Sequence, residues 1–405
     1  MGKLLNIKYG GLHGTYWMLY GIVTSFASAF LLGRGYTNGE IGVILAVGNV
    51  VAVFLQPLMA DFADRSKKVS LLGFLQLSAI LMLVLTVLTF ILQRKSAALW
   101  AVYVLNMAWF VALQPLLNSL SFKLEETGYH INFGVCRSVG CVFYAALCAC
   151  LGTMVEAMGV QVLPMSGGVV LVIMLFTLAV TKSQFNKMMA GRSTTVSAET
   201  DVPSEKLPDE EEINLIQFMS RNKLFVIMNL ACIGIFFGNS ILNSFMLQVV
   251  EGVGGNSEDM GRILSVMAAL EIPGMVLFDK VRRKFSCQAV LKFAAICFTL
   301  KILLIYVADS VSMIYVAHLL QTFSFGLFLP AMVHFINEIM AHGEAVKGQA
   351  LYTVMTTAAS VVASIAGGFI LDIQGPKFLL LASTALSAVG SVFVVLLIDR
   401  IRKKA

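Results

Sequence analysis

Charge is scarce in this 405-residue chain, where Asp, Glu, Lys and Arg make up 13% of the residues. Soluble domains carry about a quarter charged residues, so the chain cannot cover itself with an ordinary water-facing surface. Hydrophobic residues reach 58%, which indicates that the lipid bilayer is its main solvent. The alternating pattern of a membrane β-barrel is also missing. We therefore expect transmembrane α-helices, because each helix satisfies its own backbone polar groups.

Sequence motifs of enzymes are missing as well. The chain has no G-x-x-x-x-G-K-[ST] phosphate-binding loop, no nucleophile elbow and no paired aspartate motif, which argues against an ATP-driven pump or an enzyme. The seven cysteines lie mostly in apolar runs, without metal or disulfide spacing. The net charge of +6 is divided among short clusters, unlike a nucleic-acid-binding surface. We expect no catalysis, no cofactor, no metal and no nucleic-acid partner.

One long polar segment, at residues 182–223, separates two strongly apolar halves. Its composition cannot bury enough apolar surface to offset the entropy lost on ordering, and we expect a largely disordered cytoplasmic linker. The predicted domains are an N-terminal six-helix bundle at 1–181, this linker at 182–223, and a C-terminal six-helix bundle at 224–405.

Each half contains six apolar runs long enough to cross a bilayer. The predicted spans, numbered 1 to 12 in chain order, are 14–34, 40–61, 70–93, 97–120, 132–157, 161–181, 224–250, 258–279, 287–308, 311–339, 346–371 and 376–398. An even number places both termini and the linker on one side. The opposite side receives only Arg34, Arg94, Lys95, Arg262 and Lys377. Because lysine and arginine favour cytoplasmic loops, we predict a multi-pass cell-membrane protein with both termini in the cytoplasm.

Two segments that follow equivalent spans of the two halves have similar sequences, QPLMADFADRSKK at 56–68 and IPGMVLFDKVRRK at 272–284. Each joins an apolar helix end, an aspartate followed by a cation, and a basic cluster, which favours a parallel six-helix repeat. The first segment resembles the loop between helices 2 and 3 of the major facilitator superfamily, G-x-L-A-D-R-x-G-R-K. The residues kept are Ala63, Asp64, Arg65 and Lys68, whereas Ala60 and Lys67 replace the two glycines.

A second stretch, INFGVCRSVGCVFYAALCACLGTM at 131–154, resembles helix 5 of the lactose permease group of proton symporters. The likeness follows nearly the whole chain in span order and is dense only in these two stretches. It implies an all-α membrane protein of the major facilitator fold, with twelve helices in two bundles around a cavity that opens alternately to each side. Asp64, with Arg65 beside it, is then expected to latch the bundles when the cavity faces outward.

Charged residues deep inside spans are informative, because each costs at least about 2.5 kcal/mol at the bilayer centre. Arg137 in span 5 either snorkels to the headgroups or binds substrate hydroxyls or a carboxylate with its planar fork. The resemblance implies the second role, since the permease group has its sugar-binding arginine there. It also implies that Tyr144 is the aromatic residue on which a sugar ring stacks, although plain packing is an equally simple explanation.

Glu271 is the one acidic residue predicted well inside a span, and Pro273 follows it. Either it is a structural partner for a cation, or it is a carboxylate whose proton release couples transport. Lys301 is predicted at similar depth and matches the permease arginine beside the proton site. His318 and Gln321 in span 10 are candidates for the same cluster, although a lone histidine near a span end is usually a packed polar residue.

The chain departs from the permease at several functional positions. The acidic sugar ligand of span 4 aligns with Asn118, the proton-carrying glutamate of span 10 with Ser324, and an aspartate of span 7 with Asn243. Amides at Asn118, Asn239 and Asn243 offer the donors and acceptors that hydroxylated solutes need, or else they bond neighbouring spans together. The departures put lactose itself and the inherited proton route in question.

These residues predict a monomeric secondary active transporter that takes up a small polar solute, such as a sugar, glycoside or nucleoside, together with protons. Its partners are then the substrate, protons and the lipid bilayer. A second transporter hypothesis is efflux of amphipathic compounds by proton antiport, which the Met- and Phe-rich interior permits. A polytopic membrane enzyme or sensor is the alternative of another class, and the missing motifs and the short linker argue against it.

Overall fold

The computed structural model describes residues 2–65, 69–193, 215–340 and 344–401, and all regular structure in these ranges is helical. The α-helices are α1 Gly2–Tyr20, α2 Ala27–Gly33, α3 Asn38–Arg65, α4 Leu71–Ile91, α5 Ala97–Glu125, α6 Phe133–Met158, α7 Val162–Ser193, α8 Leu215–Arg221, α9 Lys223–Ser244, α10 Met246–Glu251, α11 Ser257–Arg282, α12 Cys287–Val307, α13 Val311–His318, α14 Phe325–Ile339 and α15 Ala345–Leu397. A π-helix at Gly21–Ser25 joins α1 to α2, a 3-10 turn at Leu319–Gln321 follows α13, and another at Ile398–Arg400 follows α15.

Ten of the described helices are long and apolar enough to cross a membrane, and the bent pair of α1 and α2 makes an eleventh. The helix α15 has 53 residues, which at about 1.5 Å per residue is more than twice the thickness of a hydrocarbon core. It bends at Gly375, whose φ of 78° is not helical, so it supplies two spans. In the described ranges, the prediction of an all-helical membrane fold is confirmed.

Two helices extend beyond the predicted spans. The first begins at Gly2 instead of residue 14, and α7 continues to Ser193 instead of ending at 181. Hydropathy marks only the apolar part of a helix, whereas these polar ends hold each other, because the ammonium of Lys8 donates to the carbonyl of Val180 and the side chain of Gln184. The centre of the predicted linker, residues 194–214, lies outside the described residues.

The chain divides into two compact units: unit 1 comprises 1–200 with 256–268, and unit 2 comprises 201–255 with 269–405. The start of α11 belongs to unit 1 through polar contacts with α6. The Thr153 hydroxyl donates to Glu258 at 3.3 Å, and the backbone N–H of Ser257 donates to Glu156 at 3.2 Å. Because α11 contributes to both units, the predicted domain boundaries at 181 and 224 stay a prediction.

Corresponding helices of the two halves begin in the same way. The Ser70 hydroxyl caps α4 by accepting the N–H of Gly73, and Ser286 caps α12 by accepting that of Ala289. Both helices have 21 residues, and they are spans 3 and 9. Such N-caps satisfy a backbone donor that has no partner inside the helix. This shared detail agrees with the repeat that the sequence predicts.

Candidate functional site

In the described chain three spans are broken, and the breaks mark where function is expected. Span 1 contains the π-helix at Gly21–Ser25 and bends by 47°. Span 7 breaks at Phe245, between α9 and α10, and span 10 breaks at 319–324, between α13 and α14. Spans 1 and 7 are equivalent in the predicted repeat. Interruptions at matching positions of two halves are the usual location of a transporter binding site, and π-helical segments are often functional.

The π-helix of unit 1 is anchored by two tyrosines from other helices. Tyr103 on α5 donates its hydroxyl to the carbonyl of Val23 at 2.9 Å, and the Tyr144 hydroxyl on α6 lies 2.9 Å from that of Ser25. Both tyrosines are buried, where a hydroxyl needs a partner. The irregular backbone is therefore fixed by specific hydrogen bonds.

Beside this segment, Arg137 stacks on Trp17. The guanidinium carbon lies 3.7 Å from the centre of the indole ring, and one nitrogen donates to the sulfur of Cys141 at 3.2 Å. Such a cation–π contact stabilises by about 0.5–2 kcal/mol. In the described residues no carboxylate pairs with Arg137, whose guanidinium carries five N–H donors. Most of these donors are available to a ligand.

The approach of Trp17 to α6 depends on Gly140. A Cβ atom at position 140 would lie 2.4 Å from Cδ1 of Trp17, well inside van der Waals contact. A glycine is therefore required at the point where the indole packs on α6. This local sequence positions the flat surface over which Arg137 lies.

The other predicted ligands of unit 1 are placed differently. Tyr144 is buried, with its ring centre 6.0 Å from that of Tyr20, so in this conformation it packs and does not offer an open face. Asn118 on α5 is half-buried, and within the described chain its amide forms no hydrogen bond, while its backbone carbonyl accepts from Tyr9. Their substrate-binding roles stay predictions.

Sequence reasoning missed two residues of this region, Trp17 and His13. His13 is 1% exposed and packs edge-on against Tyr9 and Phe133, and neither ring nitrogen has a hydrogen-bond partner among the described residues. The available signal was their spacing, since residues four apart on a helix lie on one face, and tryptophan occurs only three times. Nothing in the sequence links them to Arg137, which is far away along the chain.

In unit 2, Lys301 on α12 is 0% exposed. Its ammonium donates to Oε1 of Gln321 at 2.7 Å and to Oδ1 of Asn239 at 3.3 Å, and it lies 5.2 Å from the ring centre of Phe298. Desolvation of a charged amine costs several kcal/mol, and these two amide oxygens offset part of that cost. Asn239 is therefore a partner of Lys301, and its predicted role as a substrate ligand stays a prediction.

Gln321 connects Lys301 to Glu271. While its oxygen accepts from Lys301, its nitrogen donates to Oε1 of Glu271 at 2.8 Å. Lys301 and Glu271 also attract each other electrostatically. The sequence predicted this cluster but not the order of its members. Glu271 is half-buried whereas Lys301 is fully buried, so the carboxylate is the more accessible end of the network.

Close packing of α11 on the broken span 10 holds the bridge in place. A Cβ atom on Gly274 would lie 2.5 Å from the carbonyl oxygen of Thr322, and a Cβ atom on Gly326 would lie only 3.3 Å from the Cα of Gly274. The Thr322 hydroxyl also donates to the carbonyl of Leu270 at 2.6 Å. Residue 271 is consequently fixed opposite the interruption that presents Gln321.

His318 and Asn243 lie at the edge of this network. His318 is buried, with Nδ1 at 2.8 Å from the carbonyl of Ile314, while Nε2 has no hydrogen-bond partner in the part of the chain that the structure describes. With Nδ1 assigned as the donor, Nε2 is a free acceptor in the field of Lys301. Asn243 donates to the backbone carbonyl of Asn239 at 2.9 Å. Neither side chain bonds directly to Lys301.

The predicted gating pair is described only in part. Arg65 forms an exposed ion pair with Asp61, one helical turn earlier. The side chain of Asp64 lies outside the described residues, so the latch stays a prediction. Among the residues with described positions, no three His, Cys, Asp or Glu side chains form a group that could hold a metal ion.

Comparison with known proteins identifies the family. The model of the MFS_1 like family matches residues 9–382. The chain belongs to this family. An uncharacterized transporter of Bacillus subtilis (strain 168), YwbF, is 22% identical over 378 residues, covering 90% of this chain and 87% of that protein. A Deinococcus radiodurans protein whose name proposes a sugar efflux transporter is 26% identical over 148 residues, 36% of this chain and 38% of its own length.

Solved structures agree on the fold of this MFS_1-like protein. A mutant of the nucleoside transporter NupG superimposes with a TM-score of 0.78 at 13% identity, over 98% of this chain and 100% of that one. An auto-inhibited peptide transporter of the POT family superimposes with a TM-score of 0.72 at 9% identity, over 99% of this chain and 98% of that one. The protein is a multi-pass membrane transporter of the major facilitator superfamily. The narrower likeness to the lactose permease group stays a prediction.

Proposed function

We propose that this transporter moves a small polar solute, such as a sugar, glycoside or nucleoside, by proton-coupled uptake with alternating access. The observation that carries the proposal is the chain of contacts from Lys301 through Gln321 to Glu271. A half-buried carboxylate linked to a buried ammonium changes its proton affinity when either contact changes. Such a group can exchange protons in step with a conformational change, which is what coupling requires.

The substrate class follows from unit 1. Arg137, held over the indole of Trp17, offers forked donors that suit hydroxyl groups or a carboxylate. Sugars and nucleosides carry several hydroxyl groups, and so they match these donors. The name of the structural neighbour NupG, a nucleoside transporter, is in keeping with this class.

Efflux is the second candidate, and the name of the Deinococcus radiodurans relative favours it. Uptake and antiport differ in the sign of the coupling. A symporter accumulates solute on the side to which protons flow, whereas an antiporter depletes that side. Glu271 carries the proton in both proposals, and the direction of solute movement under an imposed proton gradient separates them.

The test is transport by the purified protein in proteoliposomes. We expect at least one solute from a panel of sugars, glycosides and nucleosides to accumulate when an inward proton gradient is imposed, and not when the gradient is collapsed. Depletion under the same gradient would select the antiport alternative. Solute uptake that reaches equilibrium whether or not the gradient is imposed would show that transport is not coupled to protons.

Orientation belongs to the same proposal, since solute uptake needs a defined inside. We propose a monomer in the cell membrane with both termini and the linker in the cytoplasm, because of the charge bias of the loops. A single cysteine at Thr200 in a cysteine-free background should react only with reagents that reach the cytoplasm. Labelling from outside intact cells would contradict this orientation.

A further inference from the structure

We propose that unit 1 binds an anionic phospholipid in a cavity between α1, α7 and the turn that follows α5. The cavity has a volume of about 1190 Å³ and is open on one side. None of the residues assigned above to substrate or protons lines it. The cavity is therefore separate from the candidate functional site.

One wall of the cavity is apolar and faces outward. Phe176 on α7 is 71% exposed, although it belongs to a helix that crosses the bilayer. Ala179 continues this wall one turn further. In a membrane such surfaces contact acyl chains. An acyl chain of a bound lipid can therefore lie along this wall.

The opposite end of the cavity is positively charged. Its lining includes Lys8 and Lys187, and the two ammonium groups repel each other. Lys8 is held by acceptors, the carbonyl of Val180 at 3.4 Å and the side chain of Gln184. Within the part of the chain that the structure describes, neither lysine pairs with a carboxylate. An anion between them would relieve the repulsion.

The spacing of the two ends fits a lipid better than a free anion. Phe176 and Lys187 are eleven residues apart on α7, about 16 Å along a helix. The candidate span ends at Ala190, so Lys187 lies at headgroup level while Phe176 lies in the hydrocarbon. A soluble phosphate would use the lysines and leave the apolar wall uncovered.

A second cavity, of about 500 Å³, extends the charged end. Tyr129 borders both cavities, and Lys3 and His130 add basic groups to the lining of the second one. His130 contacts Glu125 at 2.9 Å, which leaves Lys3 as the cation of this cavity that pairs with no carboxylate among the described residues. Basic clusters of this kind between helices bind phospholipid headgroups.

The test is a lipid titration of the full-length protein in detergent, followed by native mass spectrometry. The probes are phosphatidylglycerol, which is anionic, and phosphatidylcholine, which is zwitterionic. We expect preferential binding of phosphatidylglycerol, and binding about 25-fold weaker in the double variant Lys8→Gln/Lys187→Gln, because each lysine near a membrane surface contributes about a factor of five. The matched control Lys123→Gln/Lys223→Gln removes two lysines outside the cavity and should bind like the wild type.

A second variant tests the apolar wall without changing charge. Ala179→Trp places a bulky side chain on the apolar wall, and it should weaken phosphatidylglycerol binding although both lysines remain. Soluble glycerol phosphate should not displace the lipid. Equal binding of both lipids, unchanged binding in the lysine or tryptophan variant, or displacement by glycerol phosphate at equal concentration would each overturn the proposal.

Discussion

The cations of the two units, Arg137 and Lys301, are held in opposite ways. Arg137 is half-buried, lies on an indole and has no carboxylate partner in the described chain. Lys301 is fully buried and is connected through Gln321 to Glu271. The first arrangement leaves donors available, which suits binding, whereas the second occupies them, which suits the control of a proton. We therefore propose that unit 1 binds the solute and that unit 2 controls the proton.

The largest effect is expected from breaking the network of unit 2. Lys301→Met removes the donor to Gln321 and Asn239 and leaves Glu271 without its cation. Glu271 is half-buried and contacts Lys301 only through Gln321, so the cost should be below the roughly 3 kcal/mol of a directly paired buried ion. We expect a slightly lower unfolding temperature in detergent and no coupled transport in proteoliposomes.

The double variant Lys301→Met/Glu271→Gln sharpens this prediction. It removes both charges, and losing both members of a pair costs less than losing one. Thermal unfolding in detergent should therefore be nearly as in the wild type. A double variant no more stable than Lys301→Met would show that the two charges are not energetically linked.

An intermediate effect is expected from Arg137→Lys. The charge is kept, but the planar fork and most of the stacking on Trp17 are lost. We expect the Kd for substrate to rise about tenfold, equivalent to about 1.4 kcal/mol, with coupling unchanged. The control is Arg262→Lys, an exposed arginine that pairs with Glu258. An unchanged substrate affinity in Arg137→Lys would show that Arg137 does not bind the substrate.

The smallest effect is expected from Gly140→Ala. The added Cβ would lie 2.4 Å from Trp17, so the indole must shift away from Arg137. We expect about threefold weaker substrate binding, less than the full range of a cation–π contact, with a change in tryptophan fluorescence. Gly134→Ala on the same helix, with 3.8 Å to its nearest neighbour, should change neither. Equal behaviour of the two variants would contradict the role of Gly140.

The fold could be predicted because lipid imposes helices on every long apolar run. The predicted helix boundaries were wrong where polar residues continue a helix, as at Lys8 in α1. Hydropathy reports only apolar character, so it does not reveal a polar contact such as the one between Lys8 and α7. The bend at Gly375 kept spans 11 and 12 separate, as the sequence predicted.

The sequence indicated which residues belong to the candidate site better than it indicated how they contact each other. The cost of burying charge singled out Glu271 and Lys301, but that Gln321 bridges them depends on the break in span 10, which brings residues 50 and 20 positions apart into contact. Trp17 was missed because its partner Arg137 lies on another helix. Packing across helices leaves no periodic signal in one sequence.

The central claim, that Glu271 couples proton movement to transport, is tested most directly by Glu271→Gln in proteoliposomes. The amide mimics the protonated carboxyl, so solute exchange across the membrane should persist while accumulation driven by a pH gradient is lost. Glu126→Gln, outside the candidate site, should accumulate normally. Full accumulation by Glu271→Gln under the same gradient would contradict the account.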